Sequence, residues 1–169
     1  WECLDATLYI DNENLPWLVY CREWLEVIDG EIYAQRLSTD LTEIIGDPVL
    51  LFRASDAAWT GTIVYGDITG YVTDAPFLYK AKNGELLMLW SSFTKNGKYA
   101  IGLVRSENGN ILGPWQHQPV PLNDDDGGHA MLFKTFDGRL MISYHAPNSR
   151  NWKAVIKEVY EDTGTLIIQ

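Results

Sequence analysis

The chain has 169 residues, 46% of them hydrophobic and 12% aromatic, which suffices for one packed domain and is too apolar for a disordered segment. Its net charge of −10 speaks against a nucleic-acid backbone or an anionic membrane as partner, since both need clustered Lys and Arg; a neutral ligand or a cation fits better. Seven Trp and nine Tyr suit β structure and the flat faces of sugar rings, strand packing accounting for most of them. No window is long and apolar enough to span a bilayer, and no basic segment followed by an apolar stretch opens the chain as a signal peptide would. Starting at Trp1 in mid-pattern without an initiator Met, the sequence reads as a domain or fragment of something longer.

The first predicted hairpin runs Leu4–Ile10, turns at Asp11-Asn12-Glu13-Asn14, and returns through Pro16–Tyr20 to Arg22-Glu23-Trp24. Cys3 and Cys21 flank it, too few for a disulfide framework and offset from direct opposition, so free thiols are the preferred reading. Asp29-Gly30 signals a turn and Glu31–Leu37 alternates as a third strand; after Gly46-Asp47-Pro48, Val49–Phe52 supplies an outer fourth. Arg53–Gly70 has mixed pattern and reads as an ordered loop leading to the next unit.

That second unit opens on Tyr71-Val72-Thr73-Asp74-Ala75-Pro76-Phe77-Leu78-Tyr79, the stretch around which the chain is organised. Pro76 cannot donate to a ladder and pushes Ala75 away from helix, so it is expected at the first position of a strand, with Asp74 on the loop just outside. Leu86–Trp90 runs back to the same end with Ser91 and Ser92, Tyr99–Val104 follows, and Trp115-Gln116-His117 makes a short edge. The third unit repeats the layout: Gly128-His129 before Met131-Leu132-Phe133, a turn at Asp137-Gly138, Leu140–Tyr144 ending in His145, then Ala154–Tyr160 and Leu166–Ile168. No long amphipathic helix competes, so the chain is all-β: repeated four-stranded antiparallel units over about 1–58, 71–118 and 127–169, the mark of a β-propeller or another stacked array.

The repeat places Asp5, Asp74 and His129 at equivalent strand entrances, with Glu23 in the place of Ser91 and Ser92. Carboxyl groups in separate roles are what glycosidic hydrolysis needs, although an Asp before a strand is more commonly a turn residue bonding its own backbone. Glu23 has a bland alternative as a surface ion pair with Arg22. Asp124-Asp125-Asp126 lacks EF-hand spacing and reads as a solvated turn. A lone His such as His129 is commonly structural, and His117 and His145 are weaker candidates still. Cys/His metal clusters, phosphate loops and nucleophile elbows are missing from the sequence.

Taken together, Leu4–Asp11 with Pro16–Tyr20, Val72–Tyr79 with Leu86–Ser92, and Gly127-Gly128-His129-Ala130 with Asp137-Gly138 resemble glycoside hydrolase family 43, the group of β-xylosidases, α-L-arabinofuranosidases and arabinanases. The resemblance implies a five-bladed propeller of which these residues form the last three blades, an inverting mechanism, and arabinose- or xylose-containing plant polysaccharides as substrates. It implies that Asp5 is the Asp that orients and tunes, that Asp74 stands where the family's Glu-Gly-Pro acid stands, and that His129 is a central His supporting calcium or its waters. Trp24, Trp90, Ser92 and His145, at the ends of the same hairpins, are the candidate substrate contacts. A secreted or periplasmic protein is the expected setting, with a homo-oligomer or an N-terminal propeller half closing the ring.

Two features depart from the family pattern. Asp74 is one methylene shorter than Glu and Ala75 replaces Gly, which makes Glu23 an alternative acid. The blade carrying the general base is absent from these residues, so a non-catalytic carbohydrate-binding relative or an inactive fragment is the alternative reading.

Overall fold

In the computed structural model, which describes residues 1–169, the strands form three four-stranded antiparallel meanders. The first takes β1 (Cys3–Ile10), β2 (Pro16–Arg22), β3 (Glu31–Leu37) and β4 (Ile44–Arg53) in chain order. A single-turn helix, α1 (Trp24–Val27), sits between β2 and β3. The stretch expected as a loop has structure of its own: a 3-10 turn at Ala54–Asp56 and a small hairpin of β5 (Ile63–Tyr65) and β6 (Ile68–Gly70). It also delivers Trp59 to the core. The second meander is β7 (Asp74–Lys80), β8 (Leu86–Phe93), β9 (Tyr99–Ser106) and β10 (Trp115–His117). The third is β11 (Gly128–Lys134), β12 (Leu140–Ala146), β13 (Lys153–Asp162) and β14 (Thr165–Ile168).

Period-two alternation explains how the middle sheet serves both neighbours. On β8, Leu86, Met88 and Trp90 point into one core with Val19, Cys21, Ile32, Ala34 and Phe52 of the first sheet. Leu87 and Leu89 point the other way, against Ala130, Leu132, Leu140 and Ile142 of the third. A strand covered on both faces needs no polar positions, which is why Leu86–Trp90 reads as an unbroken apolar run. Gly102 on β9 lets the first core close: a Cβ there would lie 2.5 Å from Trp90 Nε1 and 2.6 Å from Trp59 Cζ2.

Each meander begins with the same irregularity. Leu4 pairs with Cys21 and Thr7 with Val19, leaving Asp5 and Ala6 opposite the single residue Tyr20. Asp74 pairs with Ser91 and Phe77 with Leu89, leaving Ala75 and Pro76 opposite Trp90. Gly128 pairs with His145 and Met131 with Ser143, leaving His129 and Ala130 opposite Tyr144. These are β-bulges, and the first residue of each is left-handed, at φ 56° for Asp5, 50° for Ala75 and 58° for His129. The true equivalents are therefore Asp5, Ala75 and His129, and the sequence-based alignment of Asp74 with the other two is one residue out of step. Asp74 corresponds to Leu4 and Gly128, and it is the first paired residue of β7 rather than a loop residue. Pro76 lies inside the bulge, where its missing N–H breaks no ladder bond. By the same register Cys21, not Glu23, is the counterpart of Ser91. Both cysteines are free, Cys3 exposed and Cys21 buried.

Candidate active site

The three bulges meet where the first strands of the sheets come together, and they bring Asp5, Asp74 and His129 into one cluster. Asp5 Oδ2 accepts a hydrogen bond of 3.1 Å from the Ala75 N–H, so the first bulge pins the second. Its Oδ1 lies 3.8 Å from His129 Nε2, at the outer limit of an ion pair. Asp74 is partly buried; its Oδ2 accepts a 2.7 Å bond from the Tyr99 hydroxyl. Left-handed non-glycine residues cost backbone energy, and three at one point concentrate strain where the polar groups gather.

Electrostatics single out Asp74. Burial pushes its carboxyl up to about 6; the Tyr99 hydrogen bond opposes this, the charges of Asp5 and Glu23 add to it, and His129 subtracts. A carboxyl tuned toward neutrality and set among polar groups is able to hold a proton for a leaving oxygen. Tyr99 stays a neutral donor, its hydroxyl pushed well up by burial and by the Asp74 charge.

Glu23 stands just past the end of β2, where its charge acts on Asp74. It caps α1, Oε1 accepting from the Leu25 N–H at 3.1 Å, while Arg22 pairs with Glu26 at 3.1 Å and Glu31 at 3.6 Å. Trp24 packs beside Gly70 of β6, where an added Cβ would come within 2.9 Å of its ring. Trp90 and Ser92 are corrected outright: both are fully buried, Trp90 packing on Phe52, Trp59 and His117, so neither presents a surface to a ligand. His117, pressed against Phe52 and Trp90, is likewise a core residue, its pKa lowered by burial. His145 does stay at the cluster. It stacks on Tyr99 at 5.5 Å and 18°, bonds Asn148 Oδ1 through Nε2 at 3.0 Å, and meets the exposed Trp152 edge to face.

Sequence reasoning missed Tyr99 as a member of the cluster. Tyr99 opens a strand two elements downstream, and neither spacing nor motif connects it to Asp74. Ser91 was legible as a neighbour of the site, and the register of β7 on β8 puts it opposite Asp74. These residues alone do not complete a calcium site. The cation wants six to eight oxygen ligands, His129 offers nitrogen, and no three His, Cys, Asp or Glu side chains are grouped to hold a metal. The acidic run instead stitches the sheets together: Asp126 accepts from the Tyr99 N–H at 2.8 Å and Asp125 from the Tyr144 hydroxyl at 2.7 Å.

The profile of glycosyl hydrolases family 43 matches residues 1–165. This chain belongs to that family. An endo-arabinase from Bacteroides thetaiotaomicron is 61% identical and superposes with a TM-score of 0.95, over 98% of this chain and 58% of the other. A thermostable family-43 glycoside hydrolase, 25% identical, superposes at 0.78 over 99% of this chain and 58% of its own. An endo-1,4-beta-xylanase from Bacteroides thetaiotaomicron shares the fold at 0.77 and 22% identity, over 100% of this chain and 60% of its own. The family-43 chain described here thus spans less than two thirds of each of these relatives. No match is found among curated proteins. No helix is long and apolar enough to cross a membrane.

Proposed function

We propose that this chain is the acid-bearing part of an inverting glycoside hydrolase that cleaves arabinose- or xylose-containing plant polysaccharide, with arabinan the favoured substrate. The observation that carries the reading is Asp74: a carboxyl raised to about 6 and bonded by Tyr99, in a chain 61% identical to an endo-arabinase, and the motif resemblance gives it the acid's place. Asp74 protonates the leaving oxygen. Asp5 holds the Asp74 bulge through the Ala75 N–H and adds negative charge that keeps the acid protonated. Glu23, whose Oε1 caps α1, is the alternative acid. The general base, which in an inverting enzyme stands roughly 6.5–9.5 Å from the acid with water between, comes from outside these residues.

In the same reading the three sheets are three blades of a five-bladed ring. Supporting it, the first and third sheets expose large apolar side chains, among them Leu8, Ile10, Ile44 and Val49 on one and Met131, Phe133, Ile156 and Ile167 on the other. Faces of that kind await cover by further sheets. The test is hydrolysis of linear arabinan and aryl arabinofuranosides by this chain and by its Asp74→Asn variant, with product anomers followed by NMR and the mass in solution measured on the same sample. Turnover lost in Asp74→Asn supports the reading, and turnover unchanged in that variant removes Asp74 as the acid. Sugar binding by a folded chain without turnover moves the conclusion to a carbohydrate-binding part whose catalysis depends on the remaining blades.

A further inference from the structure

We propose that Tyr99 is a positioning residue for Asp74: together with Ser91 it forms a one-way hydrogen-bond chain that occupies Oδ2 and leaves the transferable proton on Oδ1. This deepens, and rests on, the reading of Asp74 as the acid. The chain starts at a group that can only donate. The His129 N–H, fixed in the third bulge, donates to Ser91 Oγ at 2.8 Å. Accepting that bond leaves the Ser91 hydrogen free, and Ser91 lies close enough to the Tyr99 hydroxyl to lower its pKa against the upward push of burial, as a donor to its oxygen would. The Tyr99 hydroxyl in turn donates to Asp74 Oδ2 at 2.7 Å. Asp74 Oδ1 takes no hydrogen bond, so when the carboxyl is neutral its proton belongs there.

Tyr99 is built in rather than leaning on the site. It is 3% exposed, tilted against Phe93 at 5.0 Å and stacked on His145 at 5.5 Å, and its backbone N–H is held by Asp126. Across from the ring stands Gly128, where a Cβ would lie 2.3 Å from Tyr99 Cε1. The absence of a side chain at that one position is what admits the ring.

The arrangement gives the proton-transfer step a direction. As the glycosidic C–O bond breaks, its electron pair goes to the leaving oxygen, which takes the proton from Asp74 Oδ1; the carboxylate left behind is met at Oδ2 by the Tyr99 hydroxyl. A donor to the charged form makes Asp74 the stronger acid and strengthens as the charge develops. The other groups facing Asp74 are Asp5 on β1, Cys21 on β2, Glu23 at the cap of α1 and His129 on β11. None of them supplies a hydrogen bond to its carboxyl.

The experiment is a carbon-13 NMR titration of the Asp74 carboxyl in the whole chain, its signal assigned by loss in Asp74→Asn, in wild type and in Tyr99→Phe. Removing the hydroxyl while keeping the ring raises the Asp74 midpoint by about one to two pH units. Ser91→Ala raises it by a smaller amount. In the wild-type chain the ring carbon bearing the Tyr99 oxygen shifts at the Asp74 midpoint, a reading that needs no variant to fold. In a hydrolytically active preparation the alkaline limb of kcat/KM moves upward with the NMR midpoint, and kcat falls more than KM changes. An Asp74 midpoint unmoved in Tyr99→Phe, or a Tyr99 carbon blind to the Asp74 titration, overturns the proposal whatever the chain hydrolyses. Where both move but Asp74→Asn keeps full turnover, the chain of donors stands and the acid role of Asp74 falls instead.

Discussion

The hairpins β7–β8 and β11–β12 share one backbone: the same bulge, the same left-handed first residue, and an aromatic residue facing it, Trp90 in one and Tyr144 in the other. They differ at the residue just before the bulge, which is Asp74 in the first and Gly128 in the second. At the first the side chain is the carboxyl proposed as the acid. At the second its removal creates the space that Tyr99 fills, and Tyr99 holds Asp74. One repeated position thus supplies a raised carboxyl in one sheet and, by lacking a side chain, the seat of its hydrogen-bond donor in the next. Sheets that are copies in backbone thus differ in what the same position contributes to one cluster.

The largest effect expected from breaking this division is Asp74→Asn. Loss of a general acid costs on the order of 10²–10⁴-fold in kcat/KM. Stability moves the other way. Because the folded carboxyl is raised from the ordinary 3.8 to about 6, ionisation subtracts stability as pH rises through that window, and the penalty is complete above it. Asn removes the penalty, so the variant unfolds at higher denaturant than wild type at pH 7, by roughly 1–3 kcal/mol, and the advantage disappears below about pH 4. Equal stability at both pH values would show that Asp74 is ionised without cost.

Gly128→Ala attacks the other half of the comparison and comes next in size. Its methyl group would overlap the Tyr99 ring and approach Ser91 Oγ to 3.1 Å. Overpacking of this kind costs about 1–3 kcal/mol, read as a lower denaturation midpoint. Since the displaced ring carries the hydroxyl with it, the Asp74 midpoint also rises, as in Tyr99→Phe. A stability loss without that rise would separate the packing of Tyr99 from its bond to Asp74.

Much of this architecture was open to sequence reading. Glu31–Leu37 and Trp115–His117 fall where alternation and turn residues put them, and Asp5, Asp74 and His129 are indeed neighbours in space. What alternation cannot register is a bulge, because two residues opposite one leave the apolar pattern on both sides intact. That is why Asp74 was matched to Asp5 one residue out of step. Trp90 shows a second limit. An aromatic at a strand end looks the same whether it faces sugar or core, and only the packing of Phe52 and Trp59 from distant segments decides it. Tyr99 was invisible for a similar reason, since its partner lies 25 residues away across two strands.

The Asp5 carboxylate sharpens the comparison from a third hairpin. Asp5→Asn leaves an amide oxygen to accept from the Ala75 N–H but removes a charge that raises the Asp74 pKa. The Asp74 midpoint therefore falls, by about half a pH unit for a charge at this range in a partly solvated site, and the alkaline limb of kcat/KM moves to lower pH. The sign is opposite to that expected for Tyr99→Phe, so the two variants together distinguish a charge acting on Asp74 from a hydrogen bond acting on it. A shift in the same direction for both would mean that Asp5 acts by holding the bulge in shape.

The smallest effect belongs to the bulge itself. Ala75 sits at φ 50°, a conformation that glycine adopts freely and alanine does not, whereas the aspartate and histidine of the other two bulges tolerate it better. Its Cβ is buried, yet it is a single methyl group, and its loss is offset by relief of backbone strain. Ala75→Gly is therefore expected to stabilise the chain by about 0.5–1 kcal/mol, with the Asp74 midpoint and the pH profile unchanged. If the denaturation midpoint instead falls, the methyl group is holding the Asp74 hairpin against its neighbours, and the strain in the bulge is part of what keeps the acid in place.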